Sequence, residues 1–164
     1  MRLDHSVDIS APPEAIFEYI ADPENYLRFL SGVTRWEVVG EQTAGLGARY
    51  KILIRVGAAD VGGLIEMVEW REPYDIAWHS VTGVDQRGRW RIRAKDDDRC
   101  KVEFRFAYGV IGGGIAGLVT ELAAAPTMRR HMRRTLQQLK RQVEHEQRRK
   151  QNEKRRAARQ TSVA

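Results

Sequence analysis

The sequence predicts one α+β domain: an antiparallel sheet of seven strands, two short helices after the first strand, and one long helix at the C-terminal end. Three observations carry this. Val33 to Tyr108 reads as strand-like segments of about ten residues separated by Gly, Pro and Asp clusters. The connections are too short for crossover helices, so neighbouring strands run antiparallel. After Tyr108 the apolar period changes from two to that of a helix, and the pattern of sheet plus segregated helices is that of an α+β fold.

The first strand is marked by Leu3, His5, Val7 and Ile9 alternating with Arg2, Asp4, Ser6 and Asp8. Ala11-Pro12-Pro13-Glu14 stops it, because proline cannot donate to a sheet ladder but fits the first turn of a helix. Ala15 to Ile20 then supplies a short apolar helix. Asp22-Pro23 repeats the signal as N-cap and first helical residue, leading into Tyr26, Leu27, Phe29 and Leu30. Six further strands are predicted near Thr34–Glu41, Ala48–Gly57, Val61–Arg71, Tyr74–Val81, Gln86–Lys95 and Arg99–Tyr108. Leu118, Leu122, Met128, Met132, Leu136, Leu139 and Val143 form the apolar stripe of the long helix, which Pro126 is expected to kink or split.

Composition sets the broad class. A chain of 164 residues, 42% apolar and 30% charged, is long enough for one domain and ordinary for a folded protein. The single cysteine, Cys100, cannot form an internal disulfide, and Met1 to Ser10 lacks the apolar run of a signal peptide, so a cytoplasmic protein is expected. Residues 129–164 carry 13 of the 28 Lys and Arg but only three acids, a net +10 that leaves −4 on the rest. The basicity therefore belongs to a C-terminal extension, and the division expected is a domain over 1–145 and a basic tail over 146–164, frayed helix or disordered. Arg148-Arg149-Lys150 and Lys154-Arg155-Arg156 could hold phosphates of anionic lipid or nucleic acid, weakly and without sequence preference, since no aromatic residue follows Tyr108 to stack on a base.

Parity assigns the faces. Tyr50, Ile52, Ile54 and Val56 alternate with Arg49, Lys51 and Arg55; Trp90 and Ile92 with Arg89, Arg91 and Arg93; Val102, Phe104, Phe106 and Tyr108 with Lys101, Glu103 and Arg105. The fourth and fifth strands are ambiguous, and Ile65, Met67 and Trp78 are assigned inward. An inner face of aromatics with polar tips suits a small-molecule pocket and a filled core equally well.

These segments, ISAPPEAIFEYIADPENYLRFL, GLGARY, EMVEWREPYDIAW, GRWRI and LQQLKRQVE, together resemble the SRPBCC superfamily of START-like domains, which includes polyketide cyclase/dehydrase and lipid-transport proteins. The similarity covers about residues 1 to 145. It implies the helix-grip fold, a seven-stranded antiparallel sheet holding a long C-terminal helix around a hydrophobic cavity, and so tips the balance from filled core to pocket. The expected ligand is a small hydrophobic molecule, lipid-like, aromatic or polyketide-like. The residues expected around it are Tyr50, Ile52, Ile54, Met67, Trp78, Trp90, Phe104, Phe106, Tyr108, Leu118 and Leu122. Some proteins of this fold are instead interaction or toxin-like growth regulators, a role in which the basic segment would be the contact surface.

No catalytic triad can be assembled from the sequence and no cofactor is expected, so a cyclase/dehydrase-like enzyme and a carrier both stay open. Gly112 to Gly117 fits G-x-G-x-x-G, but the fingerprint needs a parallel strand after its helix, and here the chain ends in the helix. The run from Phe106 to Met128 holds one charge, Glu121, yet a carboxylate, a proline and a glycine run make a poor membrane span. His5, His79, His131 and His145 lack metal-ligand spacing. Of these, His79 is the only one to weigh as an acid/base, a surface or satisfied histidine being the favoured reading, Glu66 would be a buried acid if inward, and Cys100 is expected to be a buried small hydrophobe.

Overall fold

The computed structural model describes the backbone of residues 1–109 and 114–161, and the side chains of 1–109 and 124–160. Strand β1 spans Arg2–Ile9. Helix α1 (Pro13–Ala21), a 3-10 turn (Pro23–Asn25) and the one-turn helix α2 (Tyr26–Phe29) follow. Then come β2 (Val33–Val39), β3 (Arg49–Val56), β4 (Ala59–Arg71), β5 (Asp75–Gly83), β6 (Asp85–Asp96), β7 (Arg99–Gly109) and helix α3 (Gly114–Thr161). The strands form a seven-stranded sheet in the order β1-β7-β6-β5-β4-β3-β2, with every pairing antiparallel. The curled sheet and the long C-terminal helix are the helix-grip arrangement predicted from the sequence.

The local signals act as their chemistry requires. Pro13 opens α1, which buries Ile16, Phe17, Tyr19 and Ile20. The Asp22 carboxylate accepts the Glu24 backbone N–H at 2.9 Å and starts the 3-10 turn. Leu3 and Ile9 are buried on β1 while Arg2, Asp4, Ser6 and Asp8 are exposed, and Tyr50, Ile52, Trp90, Ile92, Val102, Phe104 and Phe106 are all buried on the inner face.

The ambiguity of the fourth and fifth strands has two physical causes. The β4–β5 register shifts between Met67 and Glu69, so Val68 is an extra residue and the alternation changes phase there. Ile65 and Met67 face inward before the shift, and Trp70, paired with Ile76, does so after it. On β5 both faces are covered: Ile76 and Trp78 pack inward, while Asp75 and Ala77 are buried on the outer face.

Helix α3 lays Met128, Met132, Leu136, Leu139 and Val143 on the sheet, each no more than 6% exposed. Polar ties hold it. Lys140 Nζ donates to the Asp8 carbonyl at 2.6 Å, the Ser10 N–H donates to Glu144 Oε1 at 2.9 Å, and the Ser31 N–H donates to Thr135 Oγ1 at 2.9 Å. Of the kink or split expected at Pro126, the split does not occur, since the helix runs on either side of it, and of the frayed helix or disorder expected over the basic segment the backbone is helical as far as Thr161. An elongating helix adds a hydrogen bond per residue without a new nucleus, so a solvated extension of a packed helix forms more readily than the same segment alone.

Candidate functional site: a hollow between sheet and helix

Two neighbouring hollows lie between the inner face and α3. The larger has a volume of about 120 Å³ and is bounded by Ile54 and Val56 of β3, Val61 and Gly62 of β4, Val84 and Gln86, Phe106, Tyr108 and Gly109 of β7, and Ala124 and Met128 of α3. The smaller, about 40 Å³, is bounded by Ile52, Ile54, Trp78, Gln86, Phe104 and Phe106 from the sheet, by Leu30, Ser31, Val33 and Trp36, and by Met128, His131, Met132 and Thr135 from α3. Ile54, Gln86, Phe106 and Met128 border both, so they form the partition between them.

Of the side chains expected around a ligand, Ile52, Ile54, Trp78, Phe104, Phe106 and Tyr108 border one hollow or both. Tyr50, Met67 and Trp90 border neither and lie in the packed part of the face. Tyr50 is fully buried, donates its hydroxyl to the Thr43 carbonyl at 2.7 Å and packs against Tyr26 and Trp36; burial pushes its phenol up to about 12. Trp90 stacks on Phe104 with ring centroids 4.0 Å apart and planes 9° from parallel. The side chains of Leu118 and Leu122 lie outside the described residues, as do Gly112 and Gly113 of the glycine run.

Trp78 reaches the smaller hollow because Gly88, opposite it on β6, has no side chain; a Cβ at that position would collide with the indole ring. The partition residue Gln86 was not anticipated, although the alternation that places Trp90 and Ile92 inward also places Gln86 inward. Its side chain is 2% exposed, and neither Oε1 nor Nε2 has a hydrogen-bond partner among the described residues. The Trp78 Nε1 is buried and unpartnered in the same way.

The histidines separate by face. His79 is exposed on the outer face, opposite Arg87 and Glu66 in the β5 ladders, because it follows the inward Trp78 by one residue. It borders a shallow outer groove with Arg2, Arg87, Arg89 and Arg105. His131 on α3 is the histidine beside the hollow. Its Nε2 lies 3.1 Å from the Arg55 carbonyl, which can only accept, so Nε2 donates to it, and Nδ1 lies 3.3 Å from Ser31 Oγ. The ring thus ties the turn before β2 and the end of β3 to α3, packed flat against Gly32. The spacing of His131 from Met128, Met132 and Thr135 places it on the inner side of the helix, a signal available in the sequence.

Glu66 faces outward and pairs with Arg49 at 2.7 Å, so it is not a buried acid. Cys100 is fully buried, and desolvation pushes its thiol up to about 11, away from a reactive thiolate. No group of three His, Cys, Asp or Glu among the described residues could hold a metal ion, and no described helix is long and apolar enough to cross a membrane.

Comparison with known proteins agrees with this architecture. TTHA0849 from Thermus thermophilus superposes with a TM-score of 0.73 at 22% identity, covering 87% of this chain and 97% of that one. The Zhui aromatase/cyclase from a Streptomyces species gives 0.69 at 19% identity, over 88% and 93%. A START superfamily protein from Mycobacterium smegmatis gives 0.67 at 13%, over 87% and 98%. At these identities the likeness is one of fold. No curated protein matches the sequence. The sequence itself, over residues 1–144, fits the pattern of the polyketide cyclase / dehydrase and lipid transport family, and it is to this family that the chain belongs.

Proposed function

We propose that this protein binds one small hydrophobic molecule between the sheet and α3, at the end of the inner face where β3, β6 and β7 meet Met128. The observation that carries this reading is the hollow of about 120 Å³ with an almost wholly apolar wall. A cavity of about 150 Å³ in an apolar core admits a benzene-sized molecule, so this one is scaled to a single ring or a short chain. A longer lipid-like or polyketide-like ligand would join the two hollows by moving the partition side chains Phe106 and Met128. Thioethers are suited to such repacking because the unbranched chain has several low-energy rotamers.

The test is native mass spectrometry of protein purified from its own host, followed by denaturing extraction of whatever is released. A stoichiometric apolar compound is expected, and its loss in Ile54→Trp, which fills the larger hollow, would place it there. A bare chain mass, together with no uptake of toluene or other single-ring probes, would overturn the reading.

A further inference from the structure

Among the described residues Gln86 is the one polar side chain that borders both hollows, and it sits in their partition with the apolar Ile54, Phe106 and Met128. Its backbone is held, since the Gln86 N–H donates to Ser80 Oγ at 3.1 Å, so the strand that carries it is anchored to β5. The carboxamide at the end of that anchored residue is left with one acceptor and one twofold donor unpartnered, at 2% exposure. A buried amide that loses its water without gaining partners is unfavourable, whereas a methionine or leucine of similar volume would fill the same space without that cost. Trp36 and Trp78, each with a buried Nε1 unpartnered among the described residues, border the smaller hollow.

We infer that Gln86 is the specificity-determining residue of this cavity and that the ligand presents a donor and an acceptor side by side, as a primary carboxamide or an un-ionised carboxylic acid does, on a ring-sized apolar body. The carboxamide of Gln86 matches such a group with two hydrogen bonds, its Nε2 donating to the ligand carbonyl and its Oε1 accepting from the ligand N–H or O–H. The inference rests on the hollow being a ligand cavity, and it adds the chemistry of the group that cavity selects.

Benzamide and toluene are the probes, one with the paired donor and acceptor and one without, titrated by calorimetry into the full chain and into Gln86→Met. The ratio of toluene to benzamide dissociation constants is expected to fall roughly tenfold or more in Gln86→Met, the loss associated with two hydrogen bonds in a buried site. The melting temperature of the unliganded variant is expected to rise. An unchanged ratio with toluene still bound by both proteins would overturn this inference and leave the cavity reading standing; failure of both probes to bind the unaltered protein would overturn the two together. Should Gln86→Met not fold, the side-chain amide protons of Gln86 in the unaltered protein decide by NMR. A downfield shift with benzamide and none with toluene is expected, and equal shifts with both would overturn the assignment.

Discussion

The two ends of the sheet's inner face are built from the same kinds of residue and packed differently. Toward Cys100, the face is covered by α1, α2 and the Leu136–Val143 stretch of α3, and Trp90 is wedged between a stacked Phe104 and an edge-on Phe29. Toward Tyr108, Phe106 and Tyr108 stack on each other at 5.9 Å and border the hollow of about 120 Å³. An inward apolar alternation runs the length of β7, from Cys100 and Val102 through Phe104 to Phe106 and Tyr108. What differs is the partner surface: at the filled end, side chains from two segments far away in sequence, α1 and α2, reach into the face, and Phe17 and Phe29 contact Trp70 and Trp90. Empty space along this face is thus decided by which neighbouring elements reach it, and not by the strands alone.

The sharpest way to break that comparison is to truncate isoleucine at each end. Ile92 is 3% exposed in the filled half, and Ile92→Ala is expected to destabilise by about 3–4 kcal/mol, within the range for buried aliphatic truncations. Ile54 already borders empty space and is partly exposed, so Ile54→Ala should cost about 1–2 kcal/mol. Urea unfolding of both variants measures the difference, and equal losses would mean that the two ends are packed alike. Enlargement should keep the same order of tolerance. Val102→Phe, at a fully buried site, is expected to cost about 1–3 kcal/mol by overpacking, whereas Ile54→Phe should be close to neutral and should abolish toluene uptake.

The outer face repeats the contrast in charge. Beneath the filled half, the buried Asp75 carboxylate is held by Arg71, by Arg91 at 3.0 Å and more loosely by Arg89 at 3.8 Å. Beneath the hollow half, Arg2 and Arg87 have no ion pair among the described residues. Desolvation, the largest single influence on Asp75, pushes its pKa up, but the hydrogen bonds and charges of Arg71 and Arg91 together outweigh it and leave the carboxyl below its usual 3.8. A carboxyl that is more acidic folded than unfolded contributes stability that is complete above 3.8 and is lost as the pH falls through its lower folded value. Asp75→Asn should therefore be less stable than the unaltered protein by about 1–2 kcal/mol at neutral pH, a modest figure because the arginines remain partly solvated. The gap should close on acidification below about pH 4, as seen in thermal melts across that range. A gap of constant size would remove Asp75 from the acid response.

How far the sequence reveals this molecule follows from where the relevant contacts lie. Strand parity is a local property, so the inner faces of β3, β6 and β7 can be read directly, and it becomes unreadable on β4, where the extra residue at Val68 changes phase. The distinction between Trp90, which is packed, and Phe106, which borders a hollow, cannot be read from parity. It depends on whether α1 or α2 reaches the same spot, and that is a matter of three-dimensional placement. Gln86 and His131 were readable in principle from alternation and from helical spacing. They are passed over because a polar residue near the end of a strand or on a basic helix looks like solvent-facing material until its neighbours are known.

The smallest expected effect comes from a contrast within α3 itself. From Ala125 to Val143 the helix is gripped by the sheet, while residues 148–160 are exposed on every side, with seven Lys and Arg against the single acid Glu153, itself 3.7 Å from Arg149. Nothing apolar is buried there, so the extension is helical only as a continuation of the packed part, and ending the chain after Gln147 should change the stability of the domain by less than about 0.5 kcal/mol. Its charge is a separate matter. If the extension is the contact surface for anionic partners, the shortened chain should lose retention on vesicles containing phosphatidylserine, and the full chain should lose the same retention as salt is raised, because a solvated positive stretch acts through a screened field. Unaltered toluene uptake in the shortened chain would then separate the two regions: the gripped half of α3 closes the hollow, and the bare half acts outside it. Retention that survives both the deletion and high salt would assign the contact to the domain and leave the extension without this role.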